Sequence, residues 1–173
     1  MHVRTISCIV LGSSMLLVPL AAGALNRGPS TPEERQRALE YIRHFEADPL
    51  NPDLRNEREW VIRWTIEIPD VRINLCPNLV KLPKGERKDS VTLFTAMTFA
   101  ETAFTLQHPD KQDDLPAQYQ AGVEGVLRIY EILVKANSKD RESFLDELIR
   151  KREAGTLAQF VQERAPGACK SGN

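Results

Sequence analysis

Residues 90–107, SVTLFTAMTFAETAFTLQ, are the segment from which the fold is predicted. Between Val91 and Leu106 the only ionisable residue is Glu101. A helix that is apolar on every side is normally buried on most of its faces. The sequence therefore predicts a central helix over 90–107, with the other helices packed around it.

The central segment carries threonines at spacings of three and four residues, which places them on adjoining faces of a helix: Thr92, Thr95, Thr98, Thr102 and Thr105. Their hydroxyls are expected to bond back to carbonyls of the same helix. The alternative is a polar wall that faces a cleft or a partner.

Trp60 and Trp64 lie one helical turn apart and are expected to pack in the core with Ile68, or else to rim a binding groove. Together these residues define a speculative pocket of Trp60, Trp64, Thr95, Thr98 and Thr102.

A second long helix is predicted over 116–136, and it contains two interior glycines. Each costs roughly 1 kcal/mol relative to alanine, so Gly122 and Gly125 need a compensating role. The central segment offers Ala96, Ala100 and Ala103 at matching spacing. This pattern predicts close packing of the two helices at these positions. The alternative is backbone left open for a ligand.

The remaining helices follow from capping residues, prolines and apolar spacing. Helices are predicted over 32–47, 52–67 and 140–153, and a short sixth helix begins at Thr156 and ends before Pro166. The stretch 70–75 is rich in β-branched residues and allows an extended segment. The predicted fold is all-α: a compact bundle of five to six helices. Its expected buried residues include Leu39, Ile42, Phe45, Leu54, Val61, Ile66, Val126, Leu127, Ile129, Tyr130, Leu133, Phe144, Leu145, Leu148 and Ile149.

Residues 1–24 have the pattern of a cleaved signal peptide. Arg4 precedes an apolar run from Ile6 to Leu20, and Ala22-Gly23-Ala24 fits the small-residue rule for cleavage. The run is short for a membrane span, which needs ~20 residues. A retained anchor and a cytosolic core helix are the alternatives. Cleavage leaves 25–173 as a single helical domain with an ordered core of about 31–165 and no later membrane span.

Export also changes the reading of the three cysteines. Cys8 leaves with the signal, and Cys76 and Cys169 remain as a pair. In an oxidising compartment such a pair normally forms a disulfide, here closing a loop of about 93 residues. A redox-active pair, an intermolecular bridge and metal ligation are the alternatives. The predicted bond staples the C-terminal tail to the connection between helices 2 and 3.

Charge and motifs exclude several function classes. Without Arg4, 22 basic residues face 24 acidic residues, a net charge of −2 that gives no reason to expect nucleic-acid binding. His44 and His108 stand alone, and the sequence contains no H-E-x-x-H, EF-hand or G-x-S-x-G motif. We therefore predict no metal, no cofactor and no catalytic residues.

These observations predict an exported, non-enzymatic helical protein that acts in the periplasm or outside the cell by binding a protein partner or a small ligand. One alternative is a structural or assembly component of the envelope. Another is an enzyme with an unrecognised site, which requires His44 or His108 to meet a carboxylate or a hydroxyl in a cleft. Architecture alone does not establish which function applies.

Overall fold

The computed structural model describes residues 27–82 and 88–169, and within these ranges the fold is all-α with no strand. Six helices follow one another along the chain: α1 Pro32–Ala47, α2 Arg55–Glu67, α3 Lys88–Gln107, α4 Leu115–Ala136, α5 Ser143–Glu153 and α6 Leu157–Ala168. Short 3₁₀ turns precede or follow them at Pro52–Leu54, Pro77–Leu79, Pro109–Lys111 and Ser138–Asp140. The predicted signal peptide lies outside the described residues.

Helix α3 lies at the centre, as predicted. It packs along most of its length against α4 and also contacts α1 and α2, while α6 and α5 close the other side of α4. The main core forms between these helices and contains the five apolar residues predicted for α4. A smaller cluster of Ala38, Trp64, Ile68 and Val71 joins α1 to α2 and to the segment that follows α2.

The close approach of α3 and α4 is confirmed at Gly125. A Cβ atom there would lie 2.9 Å from the carbonyl oxygen of Ala96 and nearer still to the Ala100 Cβ. Gly122 makes room for side chains instead, because a Cβ at that position would lie 2.5 Å from Glu101 Oε1 and 3.1 Å from Met97 Cγ. Gly125 is therefore required by the backbone contact, whereas the atoms that crowd Gly122 belong to side chains.

Replacing Gly125 with alanine is expected to destabilise the protein, although alanine is the better helix former. The neighbouring atoms at Gly125 belong to backbone and to a Cβ, which do not move aside cheaply, so a loss of about 1–3 kcal/mol is expected. Urea unfolding followed by far-UV circular dichroism measures it. Gly167→Ala in α6 is the matched control, since its Cβ would meet nothing within 4 Å. Equal stability of Gly125→Ala and the unchanged protein would contradict close packing.

Three helix boundaries differ from prediction by three residues. Helix α2 begins at Arg55 because Asn51 accepts a hydrogen bond from the Asp53 N–H and forms a 3₁₀ turn first. Helix α5 begins at Ser143 because Arg141 is extended and the Glu142 N–H bonds to the Tyr130 hydroxyl at 2.7 Å. Helix α6 does not end before Pro166 but continues to Ala168. The helix can continue because a proline in the last turn removes only one helical hydrogen bond. In addition, the Asn78 side chain donates a hydrogen bond to the Ala168 carbonyl at 3.1 Å.

Two expectations about burial need correction. Ile66 was predicted on the apolar side of α2, but its side chain is 79% exposed because the apolar residues of this helix are more than one face can bury. Leu39, Leu54, Phe144 and Ile149 are only partly buried. No strand forms at 70–75, where the chain is irregular between α2 and the Pro77–Leu79 turn.

The predicted disulfide is confirmed. Cys76 and Cys169 are bonded, with a Cα–Cα distance of 5.3 Å and a separation of 93 positions along the sequence. The bond joins the end of α6 to the segment that leads out of α2. The other end of that segment is fixed by Asp70. Its carboxylate accepts hydrogen bonds from the Ser30 backbone and hydroxyl, each at 2.8 Å, and forms an ion pair with Arg35 at 2.6 Å. Burial acts to raise the pKa of Asp70, but these donors outweigh it and lower the pKa.

Candidate functional site

Large exposed apolar side chains gather on one side of the bundle. Six are found within the described residues, and five of them lie along α2, α3 and the α1–α2 connection; Leu115 at the start of α4 is the exception. We call these five the apolar face: Leu50, Ile62, Ile66, Val91 and Phe94. Singly exposed apolar residues are common on protein surfaces, but a contiguous group marks an interaction site more often.

Two adjoining grooves run along the apolar face. The larger, about 620 Å³, lies between α2, the irregular segment 68–75 and α3, and it is bordered by Ile62, Ile66 and Phe94. The smaller, about 350 Å³, lies between the α1–α2 connection and α3 and is bordered by Leu50 and Val91. Thr95 lines both grooves, so they form one elongated depression.

The floor of the larger groove is formed by two of the threonines singled out from the sequence. Thr95 Oγ1 donates to the Val91 carbonyl at 2.8 Å, and Thr98 Oγ1 donates to the Phe94 carbonyl at 3.0 Å. Their hydroxyls are thus satisfied within α3, as the back-bonding interpretation predicted. These two threonines therefore add no unpaired polarity to the groove, whereas the hydroxyl of Thr65, which also lines it, makes no hydrogen bond within the described residues.

The remaining predicted pocket residues lie elsewhere. Thr102 is fully buried and donates to the Thr98 carbonyl at 2.8 Å. Trp60 and Trp64 stack on each other with ring centres 5.7 Å apart, and the Tyr41 ring meets Trp60 edge-on at 5.5 Å. The Trp64 indole N–H makes no hydrogen bond within the described residues. The hydrogen bond with the Thr31 backbone is the main cause that lowers the pKa of Glu34, and the nearby Trp64 indole contributes less. The structure therefore brings Thr95 and Thr98 to a groove but not the tryptophans or Thr102.

A buried polar network supports the wall of the larger groove from behind. The Glu101 carboxyl, 1% exposed, accepts the Asn74 N–H at 3.2 Å. The Asn74 side chain donates to Gln118 at 3.1 Å, and Gln118 in turn donates to the carbonyls of Arg72 and Gln112. Burial raises the pKa of Glu101 to about 8, which the Asn74 hydrogen bond only partly offsets. The network fixes the irregular segment against α3 and α4.

The charged side chains that line the two grooves are all arginines. Arg72 borders the larger groove, and Arg55 and Arg58 border the smaller one, whereas neither lining includes a carboxylate. Arg55 pairs with Glu59 at 2.8 Å and Arg72 with Asp113 at 2.9 Å, while Arg58 donates to the Asn51 carbonyl. The lining is thus basic, although two of its three arginines are paired with carboxylates that lie outside it.

Sequence reasoning missed the apolar face because it assigned the apolar residues of α2 to a single buried side. Ile62 and Ile66 are four residues apart, as are Trp60 and Trp64, so α2 carries two apolar stripes. The width of this apolar surface was the available signal. A surface this wide indicates that one of the two stripes stays exposed, but only the packing of α2 against α1 shows which stripe that is.

The histidines and acidic residues show little that resembles a reactive centre. His44 Nδ1 lies 2.8 Å from Glu57, and both side chains are at the surface outside the two grooves; no hydroxyl is bonded to His44 in the described ranges. His108 packs on the Phe104 ring at 4.8 Å. Within residues 27–82 and 88–169, no group of three His, Cys, Asp or Glu side chains is placed to hold a metal ion.

The chain matches no known family model, and neither a curated protein nor a solved structure is significantly similar to it. None of the helices in the described part of the chain is both long and apolar enough to cross a membrane. Function must therefore be argued from the site itself.

Proposed function

We propose that this is an exported, non-enzymatic protein that binds an amphipathic helix of a partner protein along its apolar face. The observation that carries the proposal is the convergence of five exposed large apolar side chains on one elongated depression. Amphipathic helices commonly bind in such grooves through residues spaced three and four apart.

The shape of the face favours a protein over a small molecule. Small-molecule sites enclose most of the ligand surface. Here Ile66 is 79% exposed and Val91 is 63% exposed, so these side chains protrude instead of enclosing a cavity. A protruding apolar side chain becomes buried when a second protein surface packs around it.

The rim charge specifies the partner further. Arg55, Arg58 and Arg72 border the grooves, and no carboxylate does. Electrostatic complementarity speeds association and disfavours wrong partners. The partner helix is therefore expected to carry acidic residues on both sides of its apolar stripe.

Export rests on the predicted signal at 1–24 and is supported by the disulfide, since such bonds persist mainly in oxidising compartments. A periplasmic or secreted location follows from this argument. The alternative role as an envelope assembly component uses the same face and differs only in whether the partner is a permanent neighbour.

Binding of a designed peptide tests the proposal. The probe is an 18-residue fluorescently labelled amphipathic helix with a leucine stripe flanked by glutamates, and its affinity is measured by fluorescence anisotropy. Ile66→Glu is expected to weaken binding at least tenfold, because it introduces a charge at the centre of the contact and repels the glutamates. A version of the peptide with lysine flanks is expected to bind at least tenfold more weakly than the acidic peptide.

Leu115→Glu is the matched control, since Leu115 is 40% exposed, lies at the start of α4 and lines neither groove. Binding that is equally strong with Ile66→Glu and with Leu115→Glu would contradict the proposal. So would light scattering that shows a dimer dissociated by Ile66→Glu, because the face would then bind a second copy of the chain.

A further inference from the structure

A second cleft lies on the opposite side of α3, between α1, α3 and α4. Each residue advances about 100° around a helix, so Ala100, Ala103, Phe104 and Gln107 face away from Phe94, Thr95 and Thr98. The first set lines this cleft, which has a volume of about 470 Å³, and the second lines the apolar groove. The two sites are therefore separate surfaces of the same helix.

Small side chains create the cleft. Helices α3 and α4 approach closely at Gly125, and alanines occupy the positions in front of this contact: Ala100 and Ala103 on α3 and Ala121 on α4. Leu39 of α1 and Phe104 of α3 add larger apolar walls. The result is an apolar floor that no side chain of residues 27–82 or 88–169 fills.

The rim of the cleft has both signs of charge. Arg128 and Glu46 pair with each other at 2.6 Å and hold α4 to α1. Arg43 uses only its Nε, which donates to the Leu39 carbonyl at 3.3 Å, so among the described residues its terminal nitrogens contact no acceptor. Glu124 makes no hydrogen bond or ion pair in the same ranges. Its charge acts on Arg152 only at a distance, without a contact between the two side chains.

Each part of the cleft selects one part of a ligand. The Arg43 terminal nitrogens suit a carboxylate, which arginine binds through two parallel hydrogen bonds. Glu124 suits an ammonium group, and the alanine-rich floor suits apolar side chains. The cleft falls within the ~300–1,000 Å³ range of small-ligand sites.

We propose that the three-helix cleft binds a short apolar peptide with both termini free, such as an aliphatic dipeptide. The carboxylate end lies at Arg43, the ammonium end at Glu124, and the side chains on the floor. A ligand with a carboxylate but no ammonium group would leave Glu124 without an opposite charge, and its carboxylate would be repelled by Glu124. The inference does not depend on the apolar face.

Titration of the full chain with L-leucyl-L-leucine tests the proposal, by calorimetry and by amide chemical shifts. Saturable binding is expected, with shifts confined to α1, α3 and α4. Arg43→Gln and Glu124→Gln are each expected to weaken binding at least tenfold. N-acetylation or C-terminal amidation of the peptide should produce the same losses on the unchanged protein.

Two further variants separate ligand binding from folding. Ala121→Leu fills the floor and is expected to abolish binding while the circular dichroism spectrum and melting temperature are retained. Arg150→Gln, on the exposed side of α5, is the charge-matched control and should bind normally. The proposal is overturned if no saturable binding is seen at 10 mM peptide, or if Arg43→Gln binds as well as Arg150→Gln. Shifts that map to the apolar face instead would overturn it equally.

Discussion

Between pH 4.5 and pH 8 the free energy of unfolding is expected to fall by several kcal/mol because of one residue, Glu101. Its carboxyl is buried between α3, α4 and the Asn74 backbone, and burial raises its pKa from 4.5 to about 8 in the folded state. The folded protein therefore holds this proton more tightly than the unfolded chain. The resulting stability is complete below pH 4.5 and is lost as the pH rises through 8.

The size of the effect follows from the interval between the two pKa values. Each unit of difference corresponds to about 1.4 kcal/mol, so the loss is at most about 5 kcal/mol. Asp70 acts in the opposite direction but at lower pH. Its pKa is lowered in the folded state, so its contribution is present above its ordinary value of 3.8 and is lost only in acid. The two effects are therefore separated along the pH axis.

Urea unfolding of Glu101→Gln at pH 5 to pH 9 measures the contribution of Glu101. Glutamine still accepts the Asn74 N–H but does not ionise, so the variant should be less sensitive to pH and more stable than the unchanged protein at pH 9. Glu153→Gln at the exposed end of α5 is the control, and its curve should follow that of the unchanged protein. Parallel curves for all three proteins would show that the Glu101 carboxyl does not carry the effect.

Loss of the Cys76–Cys169 bond is expected to destabilise the protein by about 4–5 kcal/mol. The bond closes a loop of 93 residues, and the chain-entropy model gives this range for a loop of that length before native strain is subtracted. Cys76 is buried in the main core, so its alanine variant also loses some packing. Because small domains have only about 5–15 kcal/mol of stability, this is a large fraction of the total.

Urea unfolding of the double variant Cys76→Ala/Cys169→Ala, with and without reductant, provides the measurement. Reduction should destabilise the unchanged protein and leave the double variant unaffected, which controls for other effects of the reductant. Mass spectrometry should show a gain of two hydrogen atoms when the reductant converts the disulfide of the unchanged protein to two thiols. Unchanged stability after verified reduction would contradict the expected effect.

The sequence predicted the helices well because each has local signals. Thr31 and Glu34 form a reciprocal cap at the start of α1, and Pro32 follows at the first helical position. Such signals act within one turn of the chain and need no tertiary information. The pairing of Gly125 with Ala96 and Ala100 was also predictable, since small residues at equal spacing on two helices favour close contact.

The candidate site was less predictable, because it depends on what remains uncovered after packing. Trp64 and Ile66 are both large and apolar, and the sequence assigns them to the same side of α2. In the fold Trp64 is buried against α1, whereas Ile66 faces outward. Glu101 stood out as the only ionisable residue in the centre of α3, yet its partner Asn74 comes from an irregular segment that helical spacing does not position.

The segment between α2 and the Pro77–Leu79 turn is fastened at three points: Asp70 to Ser30 and Arg35, Asn74 to Glu101, and Cys76 to Cys169. Irregular backbone normally has freedom that must be given up when a ligand is bound. Here that freedom is already removed by folding, so this wall of the larger groove is rigid before any partner arrives. In the proposed helix-binding role, a rigid wall would lower the entropic cost of association, and it would restrict binding to partners whose shape already matches the groove.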